Sequence, residues 1–170
     1  MNIVIFGFMG VGKTTVGRLL APRLGYHFID SDTEAEHEMG MKVSTSFDEL
    51  GEAEFRAVER RVIGGLAKRN GLVIALGGGA VLDPGNVEAL RGTGKMILLT
   101  ASPEEISQRI RGDSSRPLLA GGDKIGRIRS LMGERLERYL NAADVVVDTN
   151  GVPPIRVAEV IRDRLEADSR

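Results

Sequence analysis

Short, nearly continuous apolar runs separate longer stretches in which apolar residues recur at helical spacing. The runs at 2–6 (NIVIF), 26–29 (YHFI), 72–76 (LVIAL), 95–99 (KMILL) and 143–147 (ADVVV) predict strands. Continuous hydrophobicity, rather than strict alternation, is what a parallel strand covered on both faces requires. Helices are expected at about 13–25, 32–40, 52–69, 84–91, 103–111, 123–141 and 154–167. Ser102-Pro103-Glu104-Glu105 has a strong start signal, with serine at the N-cap, proline at N1 and acids in the first turn. Asp83-Pro84 opens another helix in the same way. The strand–helix alternation predicts an α/β fold, a parallel sheet of about five strands with helices on both faces. At 170 residues the chain suits one domain spanning 1–170, without repeats or linker.

Composition narrows the chemistry. There is no cysteine, which removes disulfides, thiolate metal sites and thiol catalysis, and only two histidines, His27 and His37. Twenty-three basic residues face 24 acidic ones for a net charge of −1, so nucleic acid and membrane surfaces are poor candidates as partners. No segment approaches the ~18 apolar residues of a membrane span, and the N-terminus lacks a signal pattern, so a cytoplasmic location is expected. Glycine is the outlier: 22 of 170 residues is nearly twice the usual ~7%.

Several of those glycines fall in one motif. Gly7-Phe8-Met9-Gly10-Val11-Gly12-Lys13-Thr14 matches G-x-x-x-x-G-K-[ST] between a predicted strand and a predicted helix. Glycines there let successive backbone N–H groups turn inward around phosphates, and the helix points its positive end at them. Lys13 then reaches the β- and γ-phosphates, and the Thr14 hydroxyl ligates Mg²⁺. A P-loop NTPase fold follows.

The remaining candidates separate the P-loop classes. No Asn-Lys-x-Asp is present to read guanine, and the only Asp-x-x-Gly, Asp48 to Gly51, lies in a helical stretch. Instead, Asp30-Ser31-Asp32 closes the second strand, at the end of the sheet where ligands gather. One acid can face Mg²⁺ and the other an acceptor hydroxyl; alternatively, Asp32 merely caps the next helix. Arg56 has Glu59 three residues on to hold its guanidinium, Gly77-Gly78-Gly79 follows the third strand with bare N–H groups, and Arg135 lies in a later helix. Together they point to a small, anionic, hydroxylated acceptor. The segment 112–122 (GDSSRPLLAGG), too apolar at Pro117-Leu118-Leu119 to be left in water, has the composition of a lid.

In this order and spacing the P-loop, Asp-Ser-Asp, Glu54-Phe55-Arg56, Leu76-Gly-Gly-Gly-Ala-Val81, Arg116-Pro-Leu-Leu119, the Arg135–Tyr139 helix and Asp148-Thr-Asn150 resemble shikimate kinase over residues 3 to about 165. The resemblance implies a nucleoside-monophosphate-kinase-like fold, with an acceptor lobe at about 32–60 and a lid at about 112–122. It implies ATP with Mg²⁺ as donor, the 3-hydroxyl of shikimate as acceptor, and a monomer. Gly10, Val11, Gly12, Lys13, Thr14 and Thr15 would hold ATP phosphates, Thr14 the Mg²⁺, and Asp30 the Mg²⁺ through water. Asp32 would hold the ring hydroxyls, Arg56 and Arg135 the carboxylate, with help from a backbone N–H of Gly77, Gly78 or Gly79. Arg116 would close with the lid onto the transferring phosphate, so Lys13, Asp32 and Arg116 form the expected catalytic set. Arg109 and Pro154 would enclose the adenine. Thr45, Ser46 and Val152 depart from the family pattern. A gluconate-type kinase of the same fold is the enzyme alternative, and a non-catalytic nucleotide switch is the alternative of another class.

Overall fold

The computed structural model describes residues 1–111 and 122–168. Five strands, β1 (Asn2–Phe6), β2 (His27–Asp30), β3 (Leu72–Ala75), β4 (Gly94–Thr100) and β5 (Val145–Asp148), form one parallel sheet in the order β2-β3-β1-β4-β5. Among the described residues eight helices surround it: α1 (Lys13–Leu24), α2 (Ser31–Met39), α3 (Val43–Glu49), α4 (Glu52–Ala67), α5 (Pro84–Arg91), α6 (Pro103–Arg109), α7 (Lys124–Ala142) and α8 (Pro154–Asp168). The expected lid, apart from Gly122, lies outside the described residues, and so does Arg116.

β1 explains the continuous apolar runs. Its residues Ile3, Val4, Ile5 and Phe6 are all buried. Successive side chains point to opposite faces, so burial of all four requires a layer on each side. Register pairs Ile5 with Ala75 on β3 and with Ile97 on β4. The sheet order turns about β1, so the crevice beyond its carboxyl end is the ligand position of an open α/β sheet.

Helix starts follow the predicted capping chemistry. The Ser102 side chain accepts from Glu105 N at 3.2 Å, and Asp83 accepts from Gly85 N at 2.8 Å. β5 begins later than expected because Ala143 terminates α7 and Asp144 turns its carboxylate to accept from Met96 N at 2.8 Å. α3 lies outside the helical ranges expected from the sequence, except at Asp48 and Glu49, which fall in an expected helical stretch. Val43-Ser44-Thr45-Ser46 is poor in helix formers, and tertiary contacts supply what propensity lacks. Glu36 accepts from Val43 N at 3.0 Å, the buried Ser46 hydroxyl donates to Val43 O at 2.7 Å, and the Phe47 ring packs 4.8 Å from Phe55. A small second core of Ala35, Phe55 and Val58 thus joins α2, α3 and α4 beside the main one.

Candidate active site

The phosphate cradle is built by backbone. Gly7, Gly10 and Gly12 adopt φ of 143°, 78° and 98°, which L side chains rarely adopt. At Gly7 a Cβ would also strike the Leu99 carbonyl oxygen of the neighbouring strand. Gly12 is the N-cap of α1 and offers no side-chain cap, and no acid stands in the first turn. The N–H groups of Thr14 and Thr15, in the first turn of α1, are oriented as an anion site requires. Lys13 Nζ folds over the loop, donating to Gly7 O at 2.9 Å and Phe8 O at 3.1 Å.

Beside the cradle, the Thr14 hydroxyl donates to Asp30 Oδ2 at 2.8 Å. A hydroxyl and a carboxylate are the hard oxygen donors magnesium takes, with phosphate and water completing its shell. Among the described residues no three His, Asp or Glu side chains cluster to cage an ion.

The two aspartates have different jobs, and the helix-cap alternative for Asp32 fails. The cap of α2 is Asp30, whose Oδ1 accepts from Asp32 N at 3.0 Å and Thr33 N at 3.4 Å. Asp32 sits one place inside the helix with its carboxylate turned to the crevice floor at Gly77. Burial, and then the neighbouring charge of Asp30, push its pKa up, while Lys13 and Arg56 pull it down. Between the aspartates, buried Ser31 does what the sequence reading did not foresee: its hydroxyl accepts from Gly77 N at 3.1 Å. That removes Gly77 from the expected backbone donors, leaving Gly78 and Gly79.

The arginines reach the same turn from separate helices. Arg56 on α4 donates to Glu59 Oε1 at 2.8 Å, as its spacing predicts, and its guanidinium lies 5.2 Å from the Phe55 ring centroid and 5.8 Å from that of Phe47. Glu59 is buried; desolvation raises its pKa and Arg56 opposes the rise. Arg135 on α7 lies 5.7 Å from the Phe8 ring centroid, so a P-loop side chain supports the arginine that faces Gly78. One helical turn on, the Tyr139 hydroxyl donates to Gly78 O at 2.5 Å. Phe8 and Tyr139 look like core residues in sequence; only the fold makes them supports of the site.

Arg109, expected to enclose the adenine with Pro154, lies between the P-loop and the connection that follows β5. Its guanidinium donates to Thr149 O at 2.7 Å, Thr149 Oγ1 at 3.0 Å, Val11 O at 3.3 Å and Gly10 O at 3.4 Å, and pairs with Glu105. It ties the P-loop to the connection that leads from β5 to Pro154, the first residue of α8. Buried Thr149, at the carboxyl end of a strand like Asp30, also donates to Thr100 O at 2.9 Å.

The sequence profile of the family described as shikimate kinase matches residues 9–166. A shikimate kinase of Thiobacillus denitrificans is 48% identical over 148 residues, covering 87% of this chain and 81% of that protein. One of Caldicellulosiruptor saccharolyticus is 44% identical over 160 residues, covering 94% of this chain and 92% of that protein. Among solved structures, the shikimate kinase from Acinetobacter baumannii in complex with shikimate superposes with a TM-score of 0.94 at 36% identity, covering 98% of this chain and 93% of that one.

Proposed function

The chain belongs to the shikimate kinase family, and on that premise we propose that it transfers the γ-phosphate of ATP to the 3-hydroxyl of shikimate, giving ADP and shikimate 3-phosphate. It is an ATP-dependent kinase acting on shikimate, a step of aromatic amino acid biosynthesis; the family assignment favours this over gluconate phosphorylation and over a non-catalytic switch. The observation that carries the site assignment is the convergence of Asp32, Arg56 and Arg135, from three helices, on the Gly77–Gly79 turn beside the P-loop.

Phosphoryl transfer needs positioning and charge neutralisation more than covalent chemistry. The uncapped N–H groups around Gly12 to Thr15 cradle the phosphates, and Lys13 swings from its loop carbonyls to the β- and γ-oxygens. Thr14 and, through water, Asp30 would hold Mg²⁺, which would supply neutralisation of the phosphate charge. Arg56 and Arg135 grip the acceptor carboxylate, a planar recognition that guanidinium does better than ammonium. Asp32 accepts hydrogen bonds from the ring hydroxyls and aims one at the γ-phosphorus, taking its proton late in the reaction. Arg116, outside the described residues, is the further cation we assign to the transferring phosphate. The enzyme is read as a cytoplasmic monomer. Among the described residues no helix is long and apolar enough to cross a membrane.

A coupled ADP-release assay with shikimate, with gluconate and with no acceptor tests the reading. ADP release that depends on shikimate is expected. Turnover on gluconate alone, or acceptor-independent hydrolysis, would overturn it.

A further inference from the structure

Backbone conformation does not explain why three glycines follow β3. None of Gly77, Gly78 and Gly79 has a positive φ, and Gly79 sits at −98°. Ordinary residues could adopt these angles. The explanation is space. A Cβ on Gly77 would lie 2.5 Å from Asp32 Oδ1, and one on Gly79 would lie 2.5 Å from Arg56 Nη2 and 2.9 Å from Arg56 Nη1. At Gly78 the nearest atom is Arg135 Nη1 at 3.7 Å, ordinary van der Waals contact. The charged heads of the acceptor site therefore occupy the volumes that side chains on this turn would fill.

The turn cannot retreat to make room. Gly77 N is held by the buried Ser31 hydroxyl, Gly78 O by Tyr139, and Gly77 O and Gly79 O by Ala80 N and Leu82 N at 3.1 Å each. Asp32 Oδ1 and Arg56 Nη2 are the ends of rotatable side chains, the Arg56 guanidinium being paired through Nη1 with Glu59. A methyl group on the turn would displace the charged head and leave the backbone and the core intact.

We propose that Gly77 and Gly79 are positioning residues for the phosphoryl transfer, each setting one acceptor-side head by the absence of its own side chain: Gly77 the Asp32 carboxylate, Gly79 the Arg56 guanidinium. This rests on the acceptor roles given above to Asp32 and Arg56, and it makes the effects of the substitutions separable. Gly77→Ala moves the group that aims the hydroxyl and lowers kcat/KM for shikimate by roughly 10²-fold, the scale of an ångström of misplacement. Gly79→Ala moves a carboxylate-binding group and raises the KM for shikimate by roughly 10-fold with a smaller change in kcat. Gly78→Ala gives the smallest loss of the three. The KM for ATP stays close to the parent in each variant, as does the melting temperature of Gly77→Ala and Gly78→Ala, whereas Gly79→Ala melts lower to the extent that Arg56 Nη1 is moved off buried Glu59.

The experiment is steady-state kinetics and thermal melts on the three alanine variants, on Asp32→Asn, and on the Asp32→Asn/Gly77→Ala pair. If Gly77 acts through Asp32, the glycine substitution costs far less activity in the Asn background than in the parent. Additive losses would overturn the proposal, as would equal losses at all three glycines, which would make the turn itself the sensitive part. A Gly77→Ala protein that fails to fold would also overturn it, because the displaced atom would not then be a free side-chain end. Near-parental Asp32→Asn would sink the acceptor reading instead, whereas a crippled Asp32→Asn beside a healthy Gly77→Ala would sink this inference alone.

Discussion

The donor and acceptor sides of the crevice are made from different materials. The proposed donor side rests mainly on backbone, with Lys13 and Thr14 added: three glycines in conformations closed to other residues, and the uncapped start of α1. It spans Gly7 to Thr15, so its parts arrive together as soon as one strand and one helix form. The acceptor side is side chain, with Asp32 from α2, Arg56 from α4 and Arg135 from α7 meeting at a turn after β3. It exists only when the whole chain is folded, and it places ionisable groups where water is scarce. A backbone site is robust to side-chain substitution and generic in what it binds. A site of half-buried charges is specific and fragile, because each group depends on its neighbours for its aim and its charge state.

The sharpest test of that contrast is Asp32→Asn, which keeps shape, removes charge and turns one acceptor oxygen into a donor. We expect at least a ~10²-fold loss in kcat/KM for shikimate with the affinity for ATP nearly unchanged. Burial raises the pKa of Asp32, so the parent's kcat/KM should fall on the acid side at a pH above the ordinary carboxylate range, and the Asn variant should lack that limb. A pH–rate profile for both proteins checks it. Parental turnover in the variant would break the division of labour, since asparagine cannot serve as the base.

Arg56→Ala and Arg135→Ala should each weaken acceptor binding by ~2–3 kcal/mol, roughly 30- to 150-fold, as the carboxylate loses a charged partner. The two should differ in stability. Without Arg56, Glu59 is a buried charge stripped of its nearest cation, and such groups destabilise strongly. Among the described residues, Arg135 leaves behind the Phe8 ring it covers and a tyrosine that loses its contact with the guanidinium but keeps its bond to Gly78 O. Thermal melts should show a clear drop for Arg56→Ala, a smaller one for Arg135→Ala, and recovery of stability without recovery of affinity when Glu59→Gln is added to Arg56→Ala. Equal melting temperatures would mean that Glu59 is held by other groups.

On the donor side, Arg109→Ala should raise the KM for ATP by roughly 10-fold and leave that for shikimate alone, because the guanidinium braces Gly10 O and Val11 O against Thr149 and charge-assisted bonds are worth ~1.5–3 kcal/mol each at most. A shift in the shikimate KM of the same size would show that the two sides are mechanically one.

The same contrast governs what the sequence disclosed. The cradle was legible to the residue because its chemistry is local: glycine spacing, a lysine and a hydroxyl on consecutive positions. The five strands were legible because burial on both faces writes itself as an unbroken apolar run. Asp30 and Asp32 were visible as a pair, but which one caps α2 was decided by a hydrogen bond that spacing alone does not fix. Ser31, Phe8, Tyr139 and Thr149 stayed hidden because their partners lie far away in the chain: Gly77, Arg135, Gly78 and Arg109. Most of α3 was missed for the corresponding reason in packing, since contacts from Glu36 and Phe55 hold a segment with little helical preference of its own.

The smallest expected effect is on stability, and its sign is opposite to that on activity. A carboxyl whose pKa rises on folding binds its proton more tightly in the folded state. It favours folding while protonated, below the unfolded value near ~4, and loses that contribution as pH rises through its folded value. Asp32 is such a group, with burial as the main cause and Asp30 the next, so its ionised form opposes folding at neutral pH. Asp32→Asn removes that opposition. The variant should melt higher than the parent at pH 7, by about 2–4 °C, the scale of a single side-chain change in a chain this long, and the gap should close as pH is lowered into the carboxylate range. Melts from pH 4 to pH 8 on both proteins measure it. An aspartate in a first turn is also drawn to the positive end of its helix; identical melting temperatures across the series would mean that this pull at the start of α2 cancels the burial. A gain that shrinks with acid would mean that the acceptor side is held in place at the expense of stability, at a residue where the backbone-built donor side has no equivalent.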